Sequence, residues 1–210
     1  MIPGIFLAAA NLVSLAGVVF WGWDAFELLV LYWLETAIIA FWTVVQIALR
    51  PGAGDVRARS VPAALGRALF FALHAAIFMA VHMLILWRLF GGLWAVRIHG
   101  PGDFVRLLIL DNGLWIPLAF LFVVRGGMML GQMFGLSALD GERGALRDLY
   151  ARIITLHLTL LIGAFAADLL GGRYAPIILI AIKTAIDLFF DPFRAAKEKS
   201  AGVSKGSLPP

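Results

Sequence analysis

Tyr32-Trp33-Leu34-Glu35-Thr36-Ala37-Ile38-Ile39 lies inside an apolar run from about Ala25 to Leu49, long enough to cross a bilayer. A carboxylate in such a run is expensive. A mid-membrane charge costs about 2.5–3.5 kcal/mol, whereas each Leu, Ile, Phe or Val returns only about 0.3–0.6 kcal/mol. Ionisable residues retained inside membranes usually face a bundle interior or a wet cavity and mark a pathway or site. What Glu35 meets is therefore the first question the sequence raises.

Outward from that run, the composition is that of a polytopic membrane protein. Of 210 residues, 62% are hydrophobic and 14% charged, against about 45–50% and 25% in soluble domains. Six apolar runs, at about 3–21, 25–49, 64–90, 114–134, 149–170 and 174–191, each approach the length a helix needs to span. They are continuous rather than alternating, which excludes barrel strands. The expectation is an all-α integral membrane bundle of about six transmembrane helices, one domain over residues 1–192, with a polar, disordered tail at 193–210. The first run lacks a basic leader and a small-residue cleavage site, so it is read as a span rather than a signal peptide. There is no cysteine, which removes disulfides, thiolate metal sites and thiol catalysis.

The net charge of +4 reads as a topology signal rather than as a nucleic-acid surface. Arg50, Arg57, Arg59 and Arg67 flank one loop, Arg143, Arg147 and Arg152 another, and Arg194, Lys197, Lys199 and Lys205 the tail. These predict both termini on the cytoplasmic side, with Trp21 and Trp23 in the aromatic belt of the opposite face. The segment 91–113 carries Gly91-Gly92, Gly100-Pro101-Gly102 and Asp111-Asn112-Gly113 around a short apolar stretch. That stretch is too short to span and is expected to lie in the interface as a short helix or lid. No internal repeat is visible, which weighs against an inverted-repeat transporter.

Buried polar residues can be aligned by depth, because two antiparallel helices rise about 1.5 Å per residue. A turn at about 50–62 places residues at equal depth when their numbers total near 112. Glu35 with His74, and Glu27 with His82, both fall within three of that total. A turn at about 170–174 likewise matches His157 with Asp187. This suggests an inner layer of Glu35, His74, Arg125, His157, Lys183 and Asp187 and an outer layer of Glu27 and His82. Lys183 and Asp187, four apart on one helix, can pair with each other. Each residue also has a plain structural reading, as an interhelical hydrogen-bond partner or a buried ion pair. Gly126, Gly127 and Gly131 with Met128, Met129 and Met133 read as close helix packing.

The segments Tyr32-Trp33-Leu34-Glu35, Phe70-Phe71-Ala72-Leu73-His74 with Val81-His82, Tyr150-Ala151-Arg152-Ile153-Ile154 with His157 and Gly163, and Lys183-Thr184 with Asp187 together resemble an uncharacterised family of bacterial multi-pass membrane proteins. That family is known as a domain of unknown function, so the resemblance implies an integral protein of the bacterial inner membrane, with no assigned activity and no catalytic role to carry over. Relatives often carry a histidine where Val124-Arg125-Gly126 stands here, which argues against a metal role for that span.

Three functions follow. In the first, His74 and His157 with Glu35 and Asp187 hold zinc or iron, in a metal-binding membrane protein or metalloenzyme. The objection is that no HExxH-type spacing exists. In the second, a proton-coupled small-solute transporter or channel, Glu35, His74 and His157 relay protons with Glu27 and His82 as further buried polar groups, and Lys183 or Arg125 holds an anion. In the third, the polar pairs only fix helix register in a scaffold. The partners expected are the lipid bilayer, a small molecule or ion, and other copies of the chain.

Overall fold

The structure is a computed structural model that describes residues 12–49, 61–133 and 175–189, together with residues 150, 153–154, 156–159 and 162–163. Of residues 132–133, 175–176 and 186–189 only the backbone is described. Every regular element among them is helical. α1 is Leu12–Trp21, closing as a π-turn over Gly17–Trp21. α2 is Ala25–Leu49 and α3 Val61–Phe90. The short α4, Trp94–Arg97, leads to α5, Pro101–Asp111, which continues as a π-helix from Phe104. α6 is Trp115–Met133 and α7 is Ala175–Phe189. Unlabelled helical residues at 153–154, 156–159 and 162–163 carry His157.

α2 is the central helix. α3, α6 and α7 all pack against it. Half of its most apolar window is buried, against 22% for α3, so α2 is enclosed while α3 presents one face outward. The main core sits towards the start of α2, where Phe26, Leu28, Leu29, Val30 and Leu31 meet Leu86 of α3, Leu108 of α5, Leu156 and Leu179. The first two turns of α2, Phe26–Tyr32, are buried on every side and are apolar apart from the capping Glu27, as a stretch surrounded by other helices requires.

Two ties set the register. Trp33 Nε1 donates to the Met79 carbonyl at 2.8 Å, fixing α2 against α3. Trp42 Nε1 donates to the Phe122 carbonyl at 3.1 Å, fixing α2 against α6. Beside that second bond Gly126 faces the Trp42 ring, and a Cβ there would lie 2.6 Å from it. Gly163 is likewise closed against Leu179, which joins the His157 helix to α7.

α5 and α6 meet at 89° through Asn112–Leu114. Gly113 makes that elbow with φ of 74°, a left-handed conformation that side chains resist. Segment 91–113 therefore lies across the end of the bundle, its Ile98 and Leu108 buried in the core.

Some expectations change. The described residues contain two helices long and apolar enough to cross a membrane, α2 and α3, or three if bent α5–α6 is one span; six were expected. α7, at 15 residues, falls short of the roughly 20 needed, and the described part of the first run is the shorter Leu12–Trp21. Residues 3–11, 50–60, 164–174 and the tail 193–210 lie outside the described residues. Trp21 is exposed as expected of a belt residue, but Trp23 is buried, its Nε1 donating to the Asn112 carbonyl at 3.0 Å.

Candidate functional site

The start of α2 is closed by a reciprocal cap. The Glu27 amide donates to Asp24 Oδ1 at 2.9 Å, and the Asp24 amide donates to Glu27 Oε2 at 2.8 Å. These are backbone donors that the helix itself cannot satisfy. The same carboxylates hold the crossing segment, since Trp94 Nε1 donates to Asp24 Oδ2 at 3.0 Å and Asn112 Nδ2 donates to Glu27 Oε1. Glu27 is thus bound to the cap and to Asn112, not to His82. The signal was present in Asp24-Ala25-Phe26-Glu27, an acidic cap with Glu three residues later.

Two turns further along, Glu35 meets Lys183. Lys183 Nζ lies 3.7 Å from Glu35 Oε2, and the two residues are only 2% and 9% exposed. The ammonium also sits 4.6 Å from the centre of the Tyr32 ring. A desolvated cation over an aromatic face gains about 2 kcal/mol or more. Tyr32 precedes Glu35 by three residues, so both project from one side of α2 towards α7. The depth argument did not include Tyr32, although it opens the Tyr32-Trp33-Leu34-Glu35 segment that carries the resemblance. Helical spacing from Glu35 was the signal for it.

A third cluster pairs His82 with His157. His82 Nδ1 lies 2.8 Å from the Phe78 carbonyl, and since a carbonyl only accepts, that nitrogen carries the proton. In the neutral ring Nε2 is then bare, and it lies 3.1 Å from both ring nitrogens of His157. The rings meet edge to face at 71°, with Phe78 stacked on His82 and tilted towards His157. Thr159, on the same stretch as His157, is fully buried, and its hydroxyl finds no hydrogen-bond partner among the described residues.

The grouping differs from the one expected. His74 does not meet Glu35: it is exposed on α3 and stacks on Phe70 of its own helix, ring centres 6.1 Å apart. His82 and His157, assigned to separate layers, touch. Lys183 pairs with Glu35, while the side chain of Asp187 lies outside the described residues. Arg125 is half-buried on α6. Among the described residues no three His, Asp or Glu side chains gather as a metal site would require.

No curated protein and no solved structure matches the chain. One family profile matches residues 2–204, nearly the whole sequence, so the chain belongs to the family of unknown function DUF6498.

Proposed function

We propose that the chain is a multi-pass protein of a bacterial inner membrane, with six spans and both termini cytoplasmic, that couples a proton to the movement of a small anionic solute at Lys183 and Glu35. The observation that carries this is the ion pair itself, an ammonium and a carboxylate 3.7 Å apart and nearly sealed from solvent among apolar helices. Such a pair is costly to bury, and hydrophobic replacements are often as stable or more so. Its retention inside a span is more economically read as function than as stabilisation. Protonating Glu35 removes the counter-charge from Lys183 and frees the ammonium for an anion. Departure of the anion restores the pair and releases the proton. The bare Nε2 of His82, beside both nitrogens of His157, gives the bundle a second proton-carrying group.

Zinc or iron is the second reading, favoured by the same bare nitrogen, because metal-bound imidazoles commonly donate their other N–H to a backbone carbonyl as His82 does. Two imidazoles are fewer donors than a zinc site takes from a protein. The proton reading uses only groups already in contact, and it is preferred for that reason.

The test is purified protein in liposomes with a pH-sensitive dye inside, challenged with a panel of small carboxylates, phosphate and sulfate. At least one anion should drive a pH change with wild type and none with Glu35→Gln. No response from wild-type protein to any of them, together with one equivalent of bound zinc or iron, would transfer the proposal to the metal reading.

A further inference from the structure

Thr159 is only 1% exposed, and its hydroxyl has no hydrogen-bond partner among the described residues. A threonine inside a helix can satisfy its hydroxyl on the carbonyl four residues back. Thr36, Thr43 and Thr184 do so, donating to the carbonyls of Tyr32, Ile39 and Ile180 at 2.9, 2.8 and 2.7 Å. Thr159 does not. A buried donor left unmade is costly, and such a group calls for an explanation.

Its neighbours locate it. Ile153 packs on the cluster of Ile39, Ala40 and Ala75, while Gly163 closes against Leu179, which is itself packed with Leu28, Leu29, Val30 and Leu31. From residue 153 to residue 163 the helix therefore runs from the Ile39 level of α2 to the Leu31 level, and Thr159 falls between, at the level of Glu35. Lys183 reaches the same level on α7, because it pairs with Glu35. The faces agree as well. Leu156, Thr159 and Gly163 are three and four residues apart on one buried face, which Gly163 sets against α7. Leu179 and Lys183, four apart and both buried, share a face of α7. One turn back from Gly163 is Thr159 and one turn on from Leu179 is Lys183, so the contact that joins the two helices sets Thr159 opposite Lys183.

We propose that Thr159 is the specificity-determining residue of the Lys183 site, donating its hydroxyl to one oxygen of a small monocarboxylate whose other oxygen is held by the ammonium. With Glu35 protonated, the described groups offer N–H and O–H donors and a single positive charge. A singly charged anion makes the loaded site neutral, as the Lys183–Glu35 pair makes the empty one. A dianion would leave a net negative charge among apolar helices, where it is expensive. Donors on two separate helices suit an anion with two acceptor oxygens better than a spherical halide. The inference rests on the reading of Lys183 and Glu35 as an anion site, but it concerns binding and not movement.

The test is calorimetric titration of the purified full chain in detergent with pyruvate, sulfate and chloride at mildly acidic pH. Wild type should bind pyruvate about tenfold or more tightly than either of the others. Thr159→Val, which keeps the shape and removes the hydroxyl, should weaken pyruvate about tenfold or more, the worth of a hydrogen bond to a charged group. It should also melt at or above the wild-type temperature, because the group removed was unsatisfied. Thr159→Ser should keep most of the affinity. Unchanged pyruvate affinity in Thr159→Val, or a melt well below wild type, would overturn the role given to Thr159. Sulfate or chloride bound as tightly as pyruvate would overturn the monocarboxylate, and no binding of pyruvate would overturn both. Pyruvate bound as expected, with no anion-driven pH change in liposomes, would sink the transport reading and leave this inference standing.

Discussion

Asp24 and Glu27 each accept a hydrogen bond from the other's backbone amide, and each also accepts one from a side chain of the segment that crosses the end of the bundle. One pair of carboxylates therefore caps the central helix and fastens the connection between α3 and α6. Asp24→Ala should lower stability in detergent by about 1 kcal/mol or somewhat more, the usual cost of a lost N-cap. Asp24→Asn, which keeps the acceptor, should stay near wild type. Thermal unfolding followed by Trp fluorescence would report both, and equal losses in the two variants would mean that the charge, not the cap geometry, is what matters.

Gly126 and Gly127 are neighbours on α6 with opposite surroundings. A Cβ at Gly126 meets the Trp42 ring at 2.6 Å, whereas at Gly127 nothing lies within 4 Å. Gly126→Ala should push α6 from α2 and destabilise by about 1–3 kcal/mol. Gly127→Ala should be neutral or stabilise by up to about 1 kcal/mol through helix propensity. The same melting experiment decides, and a reversal of the order would contradict the packing of α6 on α2.

Sidedness can be read with thiol labels, since the chain has no cysteine of its own. Gly102→Cys, in the crossing segment, should label in intact spheroplasts, and Ala53→Cys only after the membrane is opened. Labelling of Gly102→Cys from the cytoplasmic side alone would invert the proposed topology.

The helix limits were legible because apolar run length is the dominant signal: the runs at 25–49, 64–90 and 114–134 became Ala25–Leu49, Val61–Phe90 and Trp115–Met133. Depth was legible too. Trp33 bonds Met79, and their numbers total the expected 112. Direction around the axis was not. His74 sits at nearly the depth of Glu35, yet it is one residue, about 100°, from buried Ala75 and so points away. The Glu35–Lys183 and His82–His157 contacts join helices that are not neighbours in sequence, and a hairpin ruler relates only neighbours. The Asp24–Glu27 cap is legible as a local motif, whereas the depth match of Glu27 with His82 pointed elsewhere. The side chain of Asp187 lies outside the described residues.

The claim that Lys183 and Glu35 form a working site, rather than a strut, is tested most directly by removing both charges at once. Either single change strands a buried charge and should cost about 3–5 kcal/mol, while Glu35→Leu with Lys183→Met should recover most of that stability. The measurement is the anion-driven pH change in liposomes containing that double variant, after a melt has shown it to be folded. The account predicts a stable protein with no signal. A stable double variant that still couples anion and proton at the wild-type rate would contradict it.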